Sequence, residues 1–263
     1  GIYMLTLGID IGSTASKAVI MRDGTELIAE SIVPVGTGTR GPREVFQNVL
    51  NQAGIYENQI DRILATGYGR MGFKQAAREI SEISCHARGV HYLVPTAGTI
   101  IDIGGQDAKA IRVDADGRLD DFIMNDKCAA GTGRFLEVMS RVLDIRVEDM
   151  GEVSRHSTKE LSISSTCAVF AESEVISRMS NNETVEDIAA GIHRSVAKKT
   201  ASLVTRMGPI RKDVVMSGGV AHNSGVVKAL EDILKCSIIV PDKCQLAGAI
   251  GAAIIAYEDL TNK

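Results

Sequence analysis

Apolar Met4, Leu5, Leu7, Ile9 and Ile11 predict a buried strand over residues 4–11 that stops sharply at a Gly-Ser-Thr turn. A second strand is predicted over 17–22, a turn at Asp23-Gly24, and a third strand over 26–33. Strands joined this directly form a meander, not a strand-helix-strand unit. Helical spacing of apolar positions follows over 43–53, then a short strand over 63–65 and a helical stretch over 74–93, before Pro95 and Gly98 punctuate the chain. The opening pattern then returns: a strand over 99–103, a Gly104-Gly105-Gln106 turn, a strand over 108–113, the Asp116-Gly117 turn, and a strand over 119–124. One structural idea is used twice, about ninety residues apart. Helices are predicted over 133–143, 169–179 and 185–207, strands over 214–217 and 237–240, and a last helix over 246–260. The mixture predicts an α/β protein.

The two repeats carry the candidate chemistry. Gly8-Ile-Asp10-Ile-Gly12-Ser13-Thr14 ends a strand in a turn where glycine lets backbone N–H groups approach an oxyanion and the hydroxyls add donors. Ile101-Asp102-Ile-Gly104-Gly105-Gln106-Asp107 repeats the arrangement. In each, an Asp stands two residues before the turn glycine, suited to holding Mg²⁺ through water or to orienting an attacking water. A third element, Met216-Ser217-Gly218-Gly219-Val220-Ala221-His222-Asn223, follows a strand and opens a helix, where its glycines suit an adenosine lying on the backbone.

Bulk properties narrow the classes. A chain of 263 residues buries enough surface to fold without disulfides or a structural metal. The net charge of −4 argues against a nucleic-acid partner. No apolar stretch reaches the ~20 residues of a bilayer span and no secretory leader is read, so no membrane partner and a cytoplasmic location are expected. Cys85, Cys128, Cys167, Cys236 and Cys244 are odd in number and form no C-x-x-C pair, which suits reduced thiols. Two segments, 36–41 and 67–72, match G-x-G-x-x-G but lack the strand-turn-helix context of a dinucleotide site, and no P-loop is present.

Cys128, in Asn125-Asp-Lys-Cys128-Ala-Ala-Gly131-Thr-Gly133-Arg134-Phe135, and Cys167, in Ser164-Ser165-Thr166-Cys167-Ala168-Val169-Phe170, each precede a predicted helix among small residues. They read either as small buried residues that happen to carry a thiol or as half the ligands of a cubane iron–sulfur cluster completed by a second copy across a two-fold axis. Cys85 with His86 or His91 lacks metal-site spacing, and Cys236 and Cys244 read as packing residues.

The three glycine-rich elements, in this order, resemble the phosphate-1, phosphate-2 and adenosine motifs of the superfamily of sugar kinases, heat-shock ATPases and actin. The resemblance implies a two-lobed, actin-like (ribonuclease H-like) α/β ATPase fold with duplicated β-meander phosphate turns, closing over MgATP. It brings Ala15, Ser16, Lys17 and Gln245 into the nucleotide neighbourhood beside Gly12, Ser13, Thr14, Gly104, Gly105, Gln106, Asp107, Gly218, Gly219, Val220 and Asn223, with Asp10, Asp102 and Gln106 as the catalytic set. The expected division is a first lobe over 1–97, a second over 98–245, and a C-terminal helix over 246–263 packing back on the first lobe. A closer likeness covers the whole chain. Residues 8–17, 101–107, 125–135 and 164–174 are similar to the activators of 2-hydroxyacyl-CoA dehydratases. That resemblance implies a homodimeric ATPase with one 4Fe–4S cluster per dimer on Cys128 and Cys167 of each chain. It also implies a low-potential donor such as ferredoxin or flavodoxin and a dehydratase as electron acceptor. Benzoyl-CoA reductase ATPase subunits and small-molecule kinases of the same fold are the rival readings.

Overall fold

A computed structural model of the chain describes residues 2–164 and 167–261. The first half runs β1 (Leu5–Ile11), β2 (Ser16–Arg22), β3 (Glu26–Val33), α1 (Gly41–Ala53), β4 (Arg62–Thr66), β5 (Arg78–Glu79) and α2 (Glu82–Leu93). The second runs β6 (Thr99–Ile103), β7 (Ala108–Val113), β8 (Leu119–Asn125), α3 (Gly133–Val142), α4 (Met150–Ser154), α5 (Ala168–Ser180), α6 (Val185–Arg206), β9 (Val214–Ser217), α7 (Ser224–Leu234), β10 (Ile238–Ile239) and α8 (Ala247–Thr261). The two sheets have orders β3-β2-β1-β4-β5 and β10-β9-β6-β7-β8. Read from the meander outward, they are the same sheet twice: a three-stranded meander whose first strand is flanked by a later parallel strand, β4 beside β1 and β9 beside β6.

Strand alternation explains the layers of the first unit. Leu7, Ile9 and Ile11 of β1 point to one face and bury against Val45, Phe46 and Val49 of α1, each such side chain contributing about 1.5–3 kcal/mol. Thr6, Gly8 and Asp10 point to the other face, where α8 lies. Thr6 Oγ1 donates to the Ala253 carbonyl at 2.8 Å. The run of Ala and Gly through α8 lets that helix sit close to β1 and β4 and against α2. In the second unit Ile100, Ile101, Val215, Met216, Ile188 and Val196 are fully buried.

The chain divides into one unit formed by residues up to Ala97, Arg112–Asp120 and everything from Pro241 on, and another formed by Gly98–Ile111 and Asp121–Val240. This differs from the boundaries 98–245 and 246–263. The β7–β8 hairpin tip belongs with the first unit because Gly117 lies against the His91 ring of α2, and residues from 241 belong there because Lys243 pairs with Glu30 of β3.

The helix expected over 74–93 starts eight residues later. Arg78 and Glu79 pair in parallel with Leu64 and Ala65, the Arg78 guanidinium bonds Asp259 of α8 at 2.9 Å, and the Ser81 hydroxyl, accepting from the Ile83 amide, caps the true start of α2. Among the described residues no helix is long and apolar enough to cross a membrane.

Candidate functional site

Register fixes the first turn. Asp10 stands opposite Lys17 across the β1–β2 hairpin, and Lys17 Nζ lies 3.6 Å from Asp10 Oδ2, with the carboxylate almost wholly buried. The turn is closed by the Gly12 amide donating to the Ala15 carbonyl at 2.9 Å, which leaves Gly12, Ser13, Thr14 and Ala15 half-buried at its rim. Gly67, just after β4, has φ +92°, and a Cβ there would collide with Asp10 Oδ1. Ser16 serves differently from its neighbours. Its buried hydroxyl donates to the Val35 carbonyl at 2.9 Å, so it fastens the segment leaving β3 to the turn.

The second turn repeats this geometry. Asp102, the penultimate residue of β6, is nearly buried, with Lys109 Nζ of β7 3.4 Å from its Oδ2 and 3.0 Å from Asp107 Oδ1. The Gly104 amide closes the turn on the Asp107 carbonyl at 2.9 Å, and Gln106 is exposed. Gly218 follows β9 as Gly67 follows β4; it has φ +85°, and a Cβ there would collide with Asp102 Oδ1. Each unit therefore holds an acid between a lysine and a left-handed glycine. Lys109 was not among the sequence candidates, yet it follows Asp102 by the same seven residues that separate Lys17 from Asp10.

Gly218 thus joins the third element to the second turn, while Gly219 and Val220 begin a short turn leading to α7. Asn223 is already engaged: its Oδ1 accepts from the Gly225 and Val226 amides and caps α7. Its Nδ2 therefore faces His193 Nε2, 3.1 Å away, which must accept. The His193 proton then sits on Nδ1 and is donated to Ser154 Oγ at 3.1 Å, and that hydroxyl donates to the Gly151 carbonyl at 2.9 Å. Burial, with the nearby charge of Arg194, pushes His193 down to about 4. Above pH ~6.5 it is neutral folded and unfolded. As pH falls from there towards about 4 only the unfolded chain takes the proton, so stability declines through that window by at most ~3 kcal/mol. His193→Gln is expected to flatten this part of the acid dependence, read as a smaller drop in melting temperature between pH 7 and pH 5.

Cys128 is the half-buried N-cap residue of a short turn leading to α3, and Cys167 is the exposed N-cap residue of α5. Burial therefore accounts for neither, in contrast to Cys85 and Cys244. Burial pushes the Cys85 thiol up to about 12, which makes it inert. The turn after Cys128 packs on α5. The segment before Cys167 is pinned by Asp187, whose carboxyl the Lys159 and Thr158 amides hold well below the usual range, and by Arg194 donating to the Leu161 carbonyl. Ser165 and Thr166 of the Cys167 motif lie outside the described residues. Past Cys128, the Gly133 and Arg134 amides donate to the Gly104 and Gly105 carbonyls at 2.9 and 3.0 Å, tying the start of α3 to the second turn. Gln245 stands half-buried just before α8, in the first unit.

The model of the BadF/BadG/BcrA/BcrD ATPase family matches residues 7–256. The activator of lactoyl-CoA dehydratase from Anaerotignum propionicum is 54% identical over 260 residues, covering 99% of this chain and 100% of that one. The (R)-2-hydroxyglutaryl-CoA dehydratase activating ATPase from Acidaminococcus fermentans is 52% identical over 254 residues, covering 96% and 97%. Among solved structures, the activator of the 2-hydroxyisocaproyl-CoA dehydratase from Clostridium difficile with bound ADPNP superposes with a TM-score of 0.94 at 52% identity, covering 98% of this chain and 96% of that one. A ROK hexokinase from Thermus thermophilus, 18% identical with a TM-score of 0.55 and covering 99% of this chain and 100% of that one, shares the α/β fold alone.

Proposed function

The chain belongs to the BadF/BadG/BcrA/BcrD ATPase family, and from that premise we propose that it is the ATP-driven activator of a 2-hydroxyacyl-CoA dehydratase, passing it one electron from a 4Fe–4S cluster held jointly by two copies of the chain. The observation that carries this reading is the pair of bonds from the Gly133 and Arg134 amides to the carbonyls of the second phosphate turn. They link a turn of phosphate-binding type directly to the segment bearing Cys128.

In this reading the turns at 12–17 and 104–107 bind the phosphates of MgATP, and Gly218, Gly219 and Val220 support the adenosine, with Asn223 acting as a cap and Gln245 nearby. Asp10 and Asp102 orient Mg²⁺ and the attacking water, assisted by Gln106. Among the described residues no cluster of three or more metal-ligating side chains gathers, so the Mg²⁺ shell would be completed by phosphate oxygens and water. Cys128 and Cys167 fit a shared cluster because neither is buried in the core: Cys128 is half-buried at the head of the short turn before α3, and Cys167 is exposed at the start of α5. Two thiolates per chain require the second copy. When bound, the cluster supplies the one-electron reductant. A cytoplasmic setting with a ferredoxin or flavodoxin donor suits that chemistry.

Moving a two-state equilibrium from about 1:99 to 99:1 takes roughly 5.5 kcal/mol. A few charge-assisted hydrogen bonds to phosphate, at about 1.5–3 kcal/mol each, supply that difference when they form fully in only one state. MgATP is therefore expected to raise the rate at which a chelator strips iron from the reduced protein, and electron delivery to a matching dehydratase is expected to need hydrolysable ATP. Equal chelation rates without nucleotide, with ADP and with ATP, together with delivery that proceeds without ATP, would defeat the proposal.

A further inference from the structure

The two segments that match the dinucleotide fingerprint without its context meet in space. Thr37 from the first and Gly69 from the second touch so closely that a Cβ on Gly69 would lie 2.5 Å from Thr37 Oγ1. Together they line a cavity of about 750 Å³ that lies wholly within the first unit. That volume falls in the range of small-molecule sites. Phe73, Ile11 and Pro42 give it an apolar side.

Its charge is one-sided. Arg40, Arg43 and Lys74 line it and no carboxylate does, in a chain where 33 acidic residues outnumber 29 basic ones. Arg40 is paired with Glu44 at 2.9 Å, but Arg43 and Lys74 have no acidic partner among the described residues. Arg40 and Arg43 stand at the positive end of α1, a helix of 13 residues whose N-cap side chain makes no capping bond. The cavity abuts the back of the first phosphate turn: Ile11 lines it, the backbone at Gly36 presses against Ser13, and the Thr37 amide donates to the Gly12 carbonyl at 2.9 Å, while Gly12, Ser13, Thr14 and Ala15 of the turn itself are not part of its lining.

We propose that this cavity is a second anion site that takes a phosphate group, either as orthophosphate or on a small organic molecule. Guanidinium and ammonium groups make charge-assisted hydrogen bonds to such a group, and Arg43 and Lys74 come from different segments of the lining. Because Thr37 is bonded to the first turn, a ligand seated here bears on the loop that braces the nucleotide site. The proposal stands apart from the activator reading.

Isothermal titration of the whole protein, saturated with MgADP so that the nucleotide site is filled, tests it with inorganic phosphate, glucose 6-phosphate and glucose as probes. At least one phosphate-bearing probe should bind saturably, and glucose should not. Arg43→Glu and Lys74→Glu should each weaken the binding at least tenfold, with an unchanged melting temperature showing that the fold is kept. Equal affinity for phosphate and glucose 6-phosphate would assign the site to free phosphate, and at least tenfold tighter binding of the sugar phosphate would assign it to a phosphorylated metabolite. The absence of binding to the MgADP-saturated protein at millimolar probe, equal binding of glucose, or indifference to both charge reversals would each overturn the proposal.

Discussion

Asp10→Asn and Asp102→Asn are each expected to slow MgATP hydrolysis by roughly 10²- to 10⁴-fold, the range for removing a group that positions the reacting atoms and their charge. Asparagine keeps the shape of the side chain against Gly67 or Gly218, so the loss reports charge and not packing. The structural cost should be modest and unequal. Lys17 is partly solvated and tolerates losing its partner, whereas Lys109 is buried but keeps Asp107 at 3.0 Å. About 1–3 kcal/mol of stability is at stake in either case, measurable by thermal unfolding. Hydrolysis near the wild-type rate in both variants would remove the two-turn mechanism.

The second large effect concerns iron. Protein purified without oxygen is expected to hold four irons per two chains, and Cys128→Ser or Cys167→Ser to abolish the cluster. Cys85→Ser, Cys236→Ser and Cys244→Ser should retain it, since Cys85 and Cys244 are buried within the chain. The discriminating measurement is iron and sulfide content with the visible absorption of the cluster. Retention in the Cys128 variant, or two clusters per dimer, contradicts a cluster shared between chains.

Much of this molecule was legible because the same pattern occurs twice. The paired meanders could be read directly, since strand, glycine turn and strand are local signals, and the matching sheet orders follow from them. What escaped is non-local. Arg78 and Glu79 carry helix-compatible residues but become a strand because β4 offers a free edge and Asp259 of α8 takes the guanidinium. Lys109 hid because a lysine inside an apolar strand invites no functional reading until a carboxylate is placed beside it. Asn223 shows the converse: a motif residue whose polar atoms serve the helix cap and His193. The short helix α4, whose Ser154 completes that network, has no strong periodicity to announce it.

The second turn has two faces. Its carbonyls at Gly104 and Gly105 hold the start of α3, and each belongs to a peptide group whose N–H, on Gly105 or Gln106, lies within the turn closed by Asp107. A peptide group is one polarisable unit. When its N–H donates to an anion, its oxygen becomes more negative and a better acceptor, strengthening the bond on the far side by an estimated 10–30%. Phosphate binding at those amides would thus tighten the grip on α3, five residues beyond Cys128, before any atom moves. Information about nucleotide occupancy can travel through this backbone as charge redistribution as well as displacement, and a tertiary bond vibration, such as the amide I band of isotope-labelled Gly104 or Gly105, would register it.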